Sequence, residues 1–442
     1  MELLRTRHSW PQKEEALAPP SNASAGDKRA VRHAAGMRHV DLSNVQVASS
    51  ETARRINRDI VLELIRTSQP ISRADLARRS GLQRSTVSQI VEQLIGENWI
   101  REGPVASAPR GRRPTMLGLN EDLVAVAVDI HPRQATVAVV DLNGRVLMRA
   151  VAPLTSNAAA STRAIAGSMQ RMLRDLPGKS AEGIGISLPG RVDPSTQRMI
   201  FAPNLRWPDF DLKKTIERKT GLPVKLENAA TAALLAELTF ARMDGVRDAV
   251  LVTISEGVGT SVFANGQVVA GHHGVAGEFG HVPIDPAGPR CACGQKGCWE
   301  TFASSRAALR FYREMEPEAR AATFQELISL AEMGDHAAAR ALEQQAMWIG
   351  RGLRILIAGI SPSTILIAGE ITPVWHRYAP IIEKEVAALT LAGVPPKVRP
   401  VREGDAARLR GAAALVFQQQ STCPTETPQA SRRRTRGPRQ MD

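Results

Sequence analysis

One stretch, Gly277 to Ser304 (GEFGHVPIDPAGPRCACGQKGCWETFAS), constrains this chain more than any other. It places His281, Cys291, Cys293 and Cys298 within eighteen residues and interleaves two carboxylates, Glu278 and Glu300. Three of the four cysteines fall within eight residues, too close together for a disulfide framework, so in a reducing compartment metal binding is the better reading. A Cys3His set is the closed tetrahedral arrangement of a structural zinc, and Gly294 and Gly297 let the backbone wrap a small ion. Cys423 stands apart in a polar tail and carries no assignment.

At 442 residues, 43% hydrophobic and 23% charged, the chain has the balance of a soluble globular protein of two or three domains. No apolar run approaches the length of a bilayer span, and MELLRTRHSWPQKEEALAPP lacks the apolar stretch of a signal peptide, so a cytoplasmic location is expected. Net charge is +13. The first 120 residues carry 19 Lys and Arg against 12 Asp and Glu, and the last 22 carry five against two. A basic excess at the ends suggests polyanion contact there and a near-neutral body.

Residues 1–48 mix Ala, Ser, Pro and charges without apolar periodicity and are expected to form a disordered leader. From Thr52 the pattern turns helical: Ile60, Val61, Leu64 and Ile65 recur at three- and four-residue spacing before Ser68-Gln69-Pro70 and a strand-like Ile71. Ser72 suits an N-cap for RADLARRS, and Gly81 supplies a turn. A further helix is expected from Arg84 to Gly96 with Val87, Ile90, Val91, Leu94 and Ile95 on its buried face. Two short helices joined by a glycine turn make a helix-turn-helix. The second offers Arg84, Ser85, Thr86, Ser88 and Gln89 to base edges in a major groove. A strand from Trp99, a basic loop with Arg110, Arg112 and Arg113, and a strand from Met116 to Leu119 outline a wing, whose arginines suit a narrow minor groove or phosphates. Their joint occurrence in this order sets the DNA-binding reading, over residues 49–120, above that of a plain packing module.

From Leu123 a different domain begins. LVAVAVDI, ATVAVVDLNG and RVLMRAVAP read as three strands around an Asn143-Gly144 hairpin turn. The helix STRAIAGSMQRMLRDL and the strands GIGISLPG, DAVLVTIS, TSVFANGQVVAG and STILIAGE follow. A meander followed by alternating helices and strands predicts two α/β lobes with a cleft between them, over residues 121–419. Residues 420–442, ending RRRTRGPRQMD, are expected to be a disordered basic tail.

From about Thr52 to Phe417 the chain resembles the ROK family of repressors, open reading frames and sugar kinases, in its repressor branch with an N-terminal winged helix. The resemblance rests on PNLRW (Pro203 to Trp207), LENAATAALLAE (Leu226 to Glu237), SEGVGTSVFANG (Ser255 to Gly266) and, most specifically, on GEFGH with CACGQKGCWE. It implies an α/β fold in which a winged helix-turn-helix joins a two-lobed actin/hexokinase-like domain. It also implies a zinc ion in one lobe, a sugar in the cleft, and dimers or tetramers. In sugar-binding members the cleft uses residues matching Asn204, Asn228, Glu278, His281 and Glu300, whose amides and carboxylates suit vicinal hydroxyls. Zinc on His281, Cys291, Cys293 and Cys298 would fix the tautomer of His281 and leave its other nitrogen for a ligand hydroxyl.

Departures from the family's kinases set the expected function. There the residue after Asn228 is an aspartate that takes the proton from the attacking hydroxyl; Ala229 stands here, and a methyl group cannot accept a proton. The first phosphate loop, Asp-x-Gly-Gly-Thr in the kinases, reads Asp129-Ile130-His131-Pro132-Arg133, which puts a bulky residue and a proline in place of the N–H cradle. Glu256 sets a carboxylate beside the phosphate site, and the late glycine stretch is reduced to Gly369-Glu370. The expectation is no catalytic residue and no enzyme. It is a transcriptional repressor that binds a double-stranded DNA operator as a homo-oligomer, responds to a small sugar or sugar derivative, and has no membrane partner. Two other readings stay open: a sugar kinase with an appended DNA-binding domain, and a DNA-binding regulator indifferent to sugars.

Overall fold

A computed structural model of the chain describes residues 50–105, 114–202, 205, 207, 210–241, 243, 245–318, 321–389, 393–404 and 406–418. Helix α1 (Ser50–Ser68) buries Val61 and Ile65 completely, whereas Ile60 stays 40% exposed. Periodicity located the helix, and its packing uses only part of the apolar stripe. After β1 (Ile71–Ser72), the Ser72 hydroxyl accepts the N–H of Asp75 and so caps α2 (Arg73–Ser80). Gly81, at φ 73°, ends that helix. Helix α3 (Arg84–Gly96) buries Val87, Ile90, Val91 and Leu94, with Ile95 half-buried. Strands β2 (Ile100–Val105) and β3 (Thr115–Leu119) pair antiparallel, and β1 joins the other edge of β3. Arg73 holds the module's angles by pairing with Glu92 (2.6 Å) on α3 and Glu102 (2.5 Å) on β2. The result is a winged helix-turn-helix. Arg110, Arg112 and Arg113 of its expected wing lie outside the described residues.

The first lobe opens with the antiparallel meander β4 (Leu123–Ile130), β5 (Gln134–Asp141) and β6 (Val146–Pro153). All eight β4 residues are buried, as an unbroken apolar run predicts for a strand covered on both faces. Helix α4 (Ala158–Arg174) leads to β7 (Ser180–Leu188), which runs parallel to β4. A short hairpin, β8 (Arg191–Val192) with β9 (Met199–Phe201), and α5 (Leu212–Thr220) come next. Strand β10 (Val224–Asn228) completes a sheet ordered β10-β7-β4-β5-β6. Helix α6 (Ala229–Phe240) then crosses to the second lobe.

The second sheet contains β11 (Ala249–Ile254), β12 (Val258–Ala264) and β13 (Gln267–Val268). Beyond the cysteine loop come α7 (Glu300–Ala303), α8 (Ser305–Met315), α9 (Phe324–Glu332) and the long α10 (His336–Ile360). Strand β14 (Thr364–Gly369), α11 (Trp375–Ala387) and β15 (Lys397–Pro400) finish the lobe, with sheet order β13-β12-β11-β14-β15. Among the described residues no helix is long and apolar enough to cross a membrane.

The last helix, α12 (Ala407–Phe417), returns to the first lobe and packs on β7, β4 and α6. Apart from Thr231, Glu237 and Thr239, α6 is apolar all round, as a helix enclosed by protein must be; it meets α12 on one side and β11 and β12 on another. At the α6–α12 crossing a Cβ on Gly411 would come within 1.7 Å of the Ala232 carbonyl oxygen, so only glycine permits this approach. Phe417 ends edge-on to Trp99, ring centroids 6.2 Å apart. One apolar core therefore runs from Val61, Leu94 and Trp99 of the winged module through Leu123 and Leu142 to Leu409 and Phe417. The Gln69 amide strengthens the joint, donating to Asn143 Oδ1 (2.7 Å) and accepting from the Leu119 N–H (2.8 Å). Gly411→Val should overpack the α6–α12 contact and cost about 3 kcal/mol, read as a lowered urea midpoint; an unchanged midpoint would contradict the contact.

Candidate ligand cleft and metal loop

The loop that carries the cysteines must fold back on itself. Pro283 bridges Cys298 and Arg290 bridges Lys296, while the Cys291 N–H donates to the Gln295 carbonyl (2.8 Å). Gly297 has φ 69°, and a Cβ there would overlap the Asp285 carbonyl oxygen at 1.6 Å. Trp299, fully buried, anchors the far end by donating its indole N–H to the Trp348 carbonyl (2.9 Å). These restraints bring the ligand atoms of His281, Cys291, Cys293 and Cys298 within 4.8 Å of one another. Cys291 Sγ lies 3.5 Å from His281 Nδ1, and Cys293 Sγ lies 3.6 Å from Cys298 Sγ. Burial pushes the Cys291 thiol up to about 12 and raises Cys298 as well, with the Glu300 charge adding to both. Thiolates at this spot would need a cation beside them, which a divalent metal would supply. By donor type, number and spacing the four residues fit a metal ion.

The same loop turns three side chains toward the cleft. With Nδ1 facing Cys291, His281 keeps Nε2 3.8 Å from Glu278 Oε2. Glu300, at the start of α7, accepts the Val258 N–H on Oε2 (3.2 Å) and sets Oε1 3.8 Å from Arg306. Across the cleft, Asn228 ends β10 and caps α6: Oδ1 accepts the Ala230 N–H (2.8 Å) and Nδ2 donates to the Gly190 carbonyl (2.8 Å). Asn228, Glu278, His281 and Glu300 line one cavity of about 340 Å³, together with Ala229 and Glu256. The backbone duties of Asn228 were not evident in the sequence; they leave one acceptor lone pair and one N–H for a ligand. Asn204 lies outside the described residues.

His131 and Arg408, which line this cavity, belong to a charge cluster centred on Asp129. Asp129, 3% exposed, is 2.8 Å from Arg408 Nη2 and 2.9 Å from His131 Nε2, and accepts the Ser187 hydroxyl (3.0 Å). Burial opposes ionisation of Asp129, but Arg408, His131 and Ser187 together outweigh it and hold the carboxyl below its ordinary value. Arg408 thus puts a guanidinium where the first phosphate loop was expected, with His131 and Pro132 on the adjoining wall. Sequence reasoning missed it because nothing in ARLRGAAAL singles out one arginine, and its partner lies far upstream in the chain.

On the winged module Arg84, Ser85, Ser88 and Gln89 are exposed and Thr86 is half-buried. Gln83 begins α3 without a side-chain cap, unlike Ser72 before α2, so the first-turn N–H groups of α3 are left to an outside acceptor.

A ROK family model matches residues 125–419, and a MarR family model matches residues 60–102. The chain belongs to the ROK family. It is 32% identical over 331 residues to the xylose repressor of Bacillus subtilis (strain 168), covering 74% of this chain and 85% of that protein. It is 29% identical over 388 residues to the DNA-binding transcriptional dual regulator NagC of Escherichia coli (strain K12), covering 84% and 94%. A solved ROK family transcriptional regulator, a homolog of the E. coli MLC protein, aligns with TM-score 0.70 at 28% identity over 84% of this chain and 97% of that one. The ROK family glucokinase from Streptomyces griseus in complex with glucose and AMPPNP aligns with TM-score 0.60 at 29% identity, over 67% and 99%.

Removing the Arg408 guanidinium would strand the buried Asp129 carboxylate. Arg408→Met should cost about 3–5 kcal/mol at pH 7, measured by urea denaturation. Because its partners depress the Asp129 pKa, their contribution is full above the ordinary carboxylate value and is lost as pH falls through the folded value. The deficit of the variant should therefore shrink below about pH 4. A deficit independent of pH would contradict the ion pair.

Proposed function

We propose that this chain is a zinc-containing transcriptional repressor whose binding to a double-stranded DNA operator is modulated by a sugar or sugar derivative. One observation carries the reading: a polyol-suited cavity is lined by Arg408, which is paired to the buried Asp129, in a chain whose N-terminal part is a winged helix-turn-helix. The named repressors among its relatives support it.

In this reading Asn204, Asn228, Glu278, His281 and Glu300 hold ligand hydroxyls. His281, Cys291, Cys293 and Cys298 hold a structural zinc, which orients His281 and does no chemistry. Arg84, Ser85, Thr86, Ser88 and Gln89 meet base edges, and Arg110, Arg112 and Arg113 meet phosphates or a narrow groove. No residue is catalytic. Ala229 supplies no base, Glu256 repels triphosphate, Pro132 removes an N–H from the phosphate cradle, Arg408 is spent on Asp129, and the ligand leaves unphosphorylated. Residues 49–120 act as the DNA-binding domain and 121–419 as the effector domain, paired as a homodimer or tetramer on a palindromic site.

A ligand shifts such a protein only through unequal affinity for its two states. Helix α6 offers the path. It spans about 18 Å at 1.5 Å per residue, from the cap at Asn228 beside the cavity to Phe240 at the joint with the winged module. There Thr239 accepts from Gln418 (2.8 Å), and Phe240 packs where a Cβ on Gly144 would sit.

A panel of pentoses, hexoses and amino sugars tests the cleft. At least one should raise the melting temperature, by about 2.7 kcal/mol of stabilisation at a hundredfold excess over Kd. Glu278→Ala should abolish that shift, and a coupled ATPase assay with the same sugar should show no turnover; turnover would overturn the sensor reading. For the metal, elemental analysis should find about one zinc per chain, lost in Cys298→Ser together with a lower melting temperature. Full stability in metal-free protein would contradict the structural role.

A further inference from the structure

We infer that the effector is larger than one sugar ring: a second, glycosidically linked ring enters a side chamber next to the cleft and is recognised there by Glu227 and Arg191. The inference rests on the proposed reading of the cleft as a sugar site and names the class of sugar.

Beside the main cavity lies a second one of about 110 Å³. Arg191, Asn228, Gly259 and Glu278 line both, so the two meet along that wall. That volume is several times the roughly 10–15 Å³ that admits a single water, so the side chamber has room for a group of many heavy atoms. Its lining is divided. Val192, Pro194 and Val269 give an apolar surface suited to the C–H face of a ring, whereas Arg191 and Glu227 present hydrogen-bonding groups.

Both polar groups have bonding capacity to spare. Glu227 Oε1 accepts only the N–H of the next residue, Asn228 (2.8 Å), and Oε2 has no partner among the described residues. The side chain is half-buried, enclosed by protein yet open to the chamber. Burial raises the Glu227 carboxyl above its usual range, and in either protonation state its unpartnered oxygen can meet a ligand hydroxyl. Arg191 lines the wall shared by the two cavities, and its guanidinium makes no hydrogen bond to another described residue. An N-acetyl substituent offers one N–H and one carbonyl to this pair but is too small to cover the apolar wall of Val192, Pro194 and Val269. A second ring brings hydroxyls that donate and accept, and so serves both groups.

Calorimetry on the full chain decides the matter, using xylose against xylobiose, glucose against cellobiose and maltose, and N-acetylglucosamine against its β-1,4 dimer. For one pair the disaccharide should bind at least tenfold more tightly than its parent. Glu227→Ala should collapse that ratio toward one, and Glu227→Gln, which keeps a donor and an acceptor, should restore most of it. Val269→Trp, at a 38% exposed position, should fill the chamber and collapse the ratio without touching either polar group, which serves if Glu227→Ala fails to fold. Monosaccharides, N-acetylated or not, binding as tightly as their dimers would overturn the inference and leave the sugar cleft standing. A ratio that survives both Glu227→Ala and Val269→Trp would overturn it too. Absence of heat with every sugar would remove the inference and the cleft reading together.

Discussion

The cap that Asn228 places on α6 is the interaction on which the other arrangements depend. The first N–H groups of a helix need partners outside it, and a side-chain cap is worth about 1 kcal/mol. Here the capping side chain is also part of the cleft wall, and its other end fixes the Gly190 turn. The start of α6 and the shape of the cavity are therefore one constraint. From that point the helix runs, in backbone contact with α12 at Gly411, to the apolar joint around Trp99, Phe240 and Phe417.

In the proposed function, charge placement sets this cleft apart from one built for phosphoryl transfer. A buried carboxylate tolerates its surroundings only when paired, and Asp129 is paired internally with Arg408 and His131. A site prepared for a nucleotide leaves such a carboxylate and its neighbouring N–H groups for metal and phosphate. The cysteine loop makes a complementary point: its buried thiols, raised by the apolar setting, call for a cation that holds His281 in place. In the proposed function the protein spends these groups on a fixed cavity and keeps none for chemistry.

What the sequence made legible was what short-range chemistry encodes. Ser72 and Gly81 cap α2 because a hydroxyl and a left-handed glycine act within a few residues, and the C-x-C-G-x-x-G-C spacing brings its ligands together for the same reason. The unbroken apolar run of β4 announced a strand buried on both faces. Legibility failed where partners are distant in sequence. Arg408 meets Asp129 only through the packing of α12 on β4, and Gln69 meets Asn143 only at the joint. Periodicity likewise could not show that Ile60 stays exposed while Val61 is buried, because a stripe does not say how much of itself is covered. Glu227 was passed over beside the more conspicuous Asn228, since alternation along β10 says nothing about which chamber each side chain reaches.

In the proposed function, occupancy of the cleft sets the affinity of the winged module for DNA. That dependence is tested most directly by measuring operator binding of the full chain at fixed salt, with and without the sugar that raises its melting temperature. Saturating sugar should raise the operator Kd at least tenfold, about 1.4 kcal/mol of coupling. An operator Kd unchanged at saturation would contradict it.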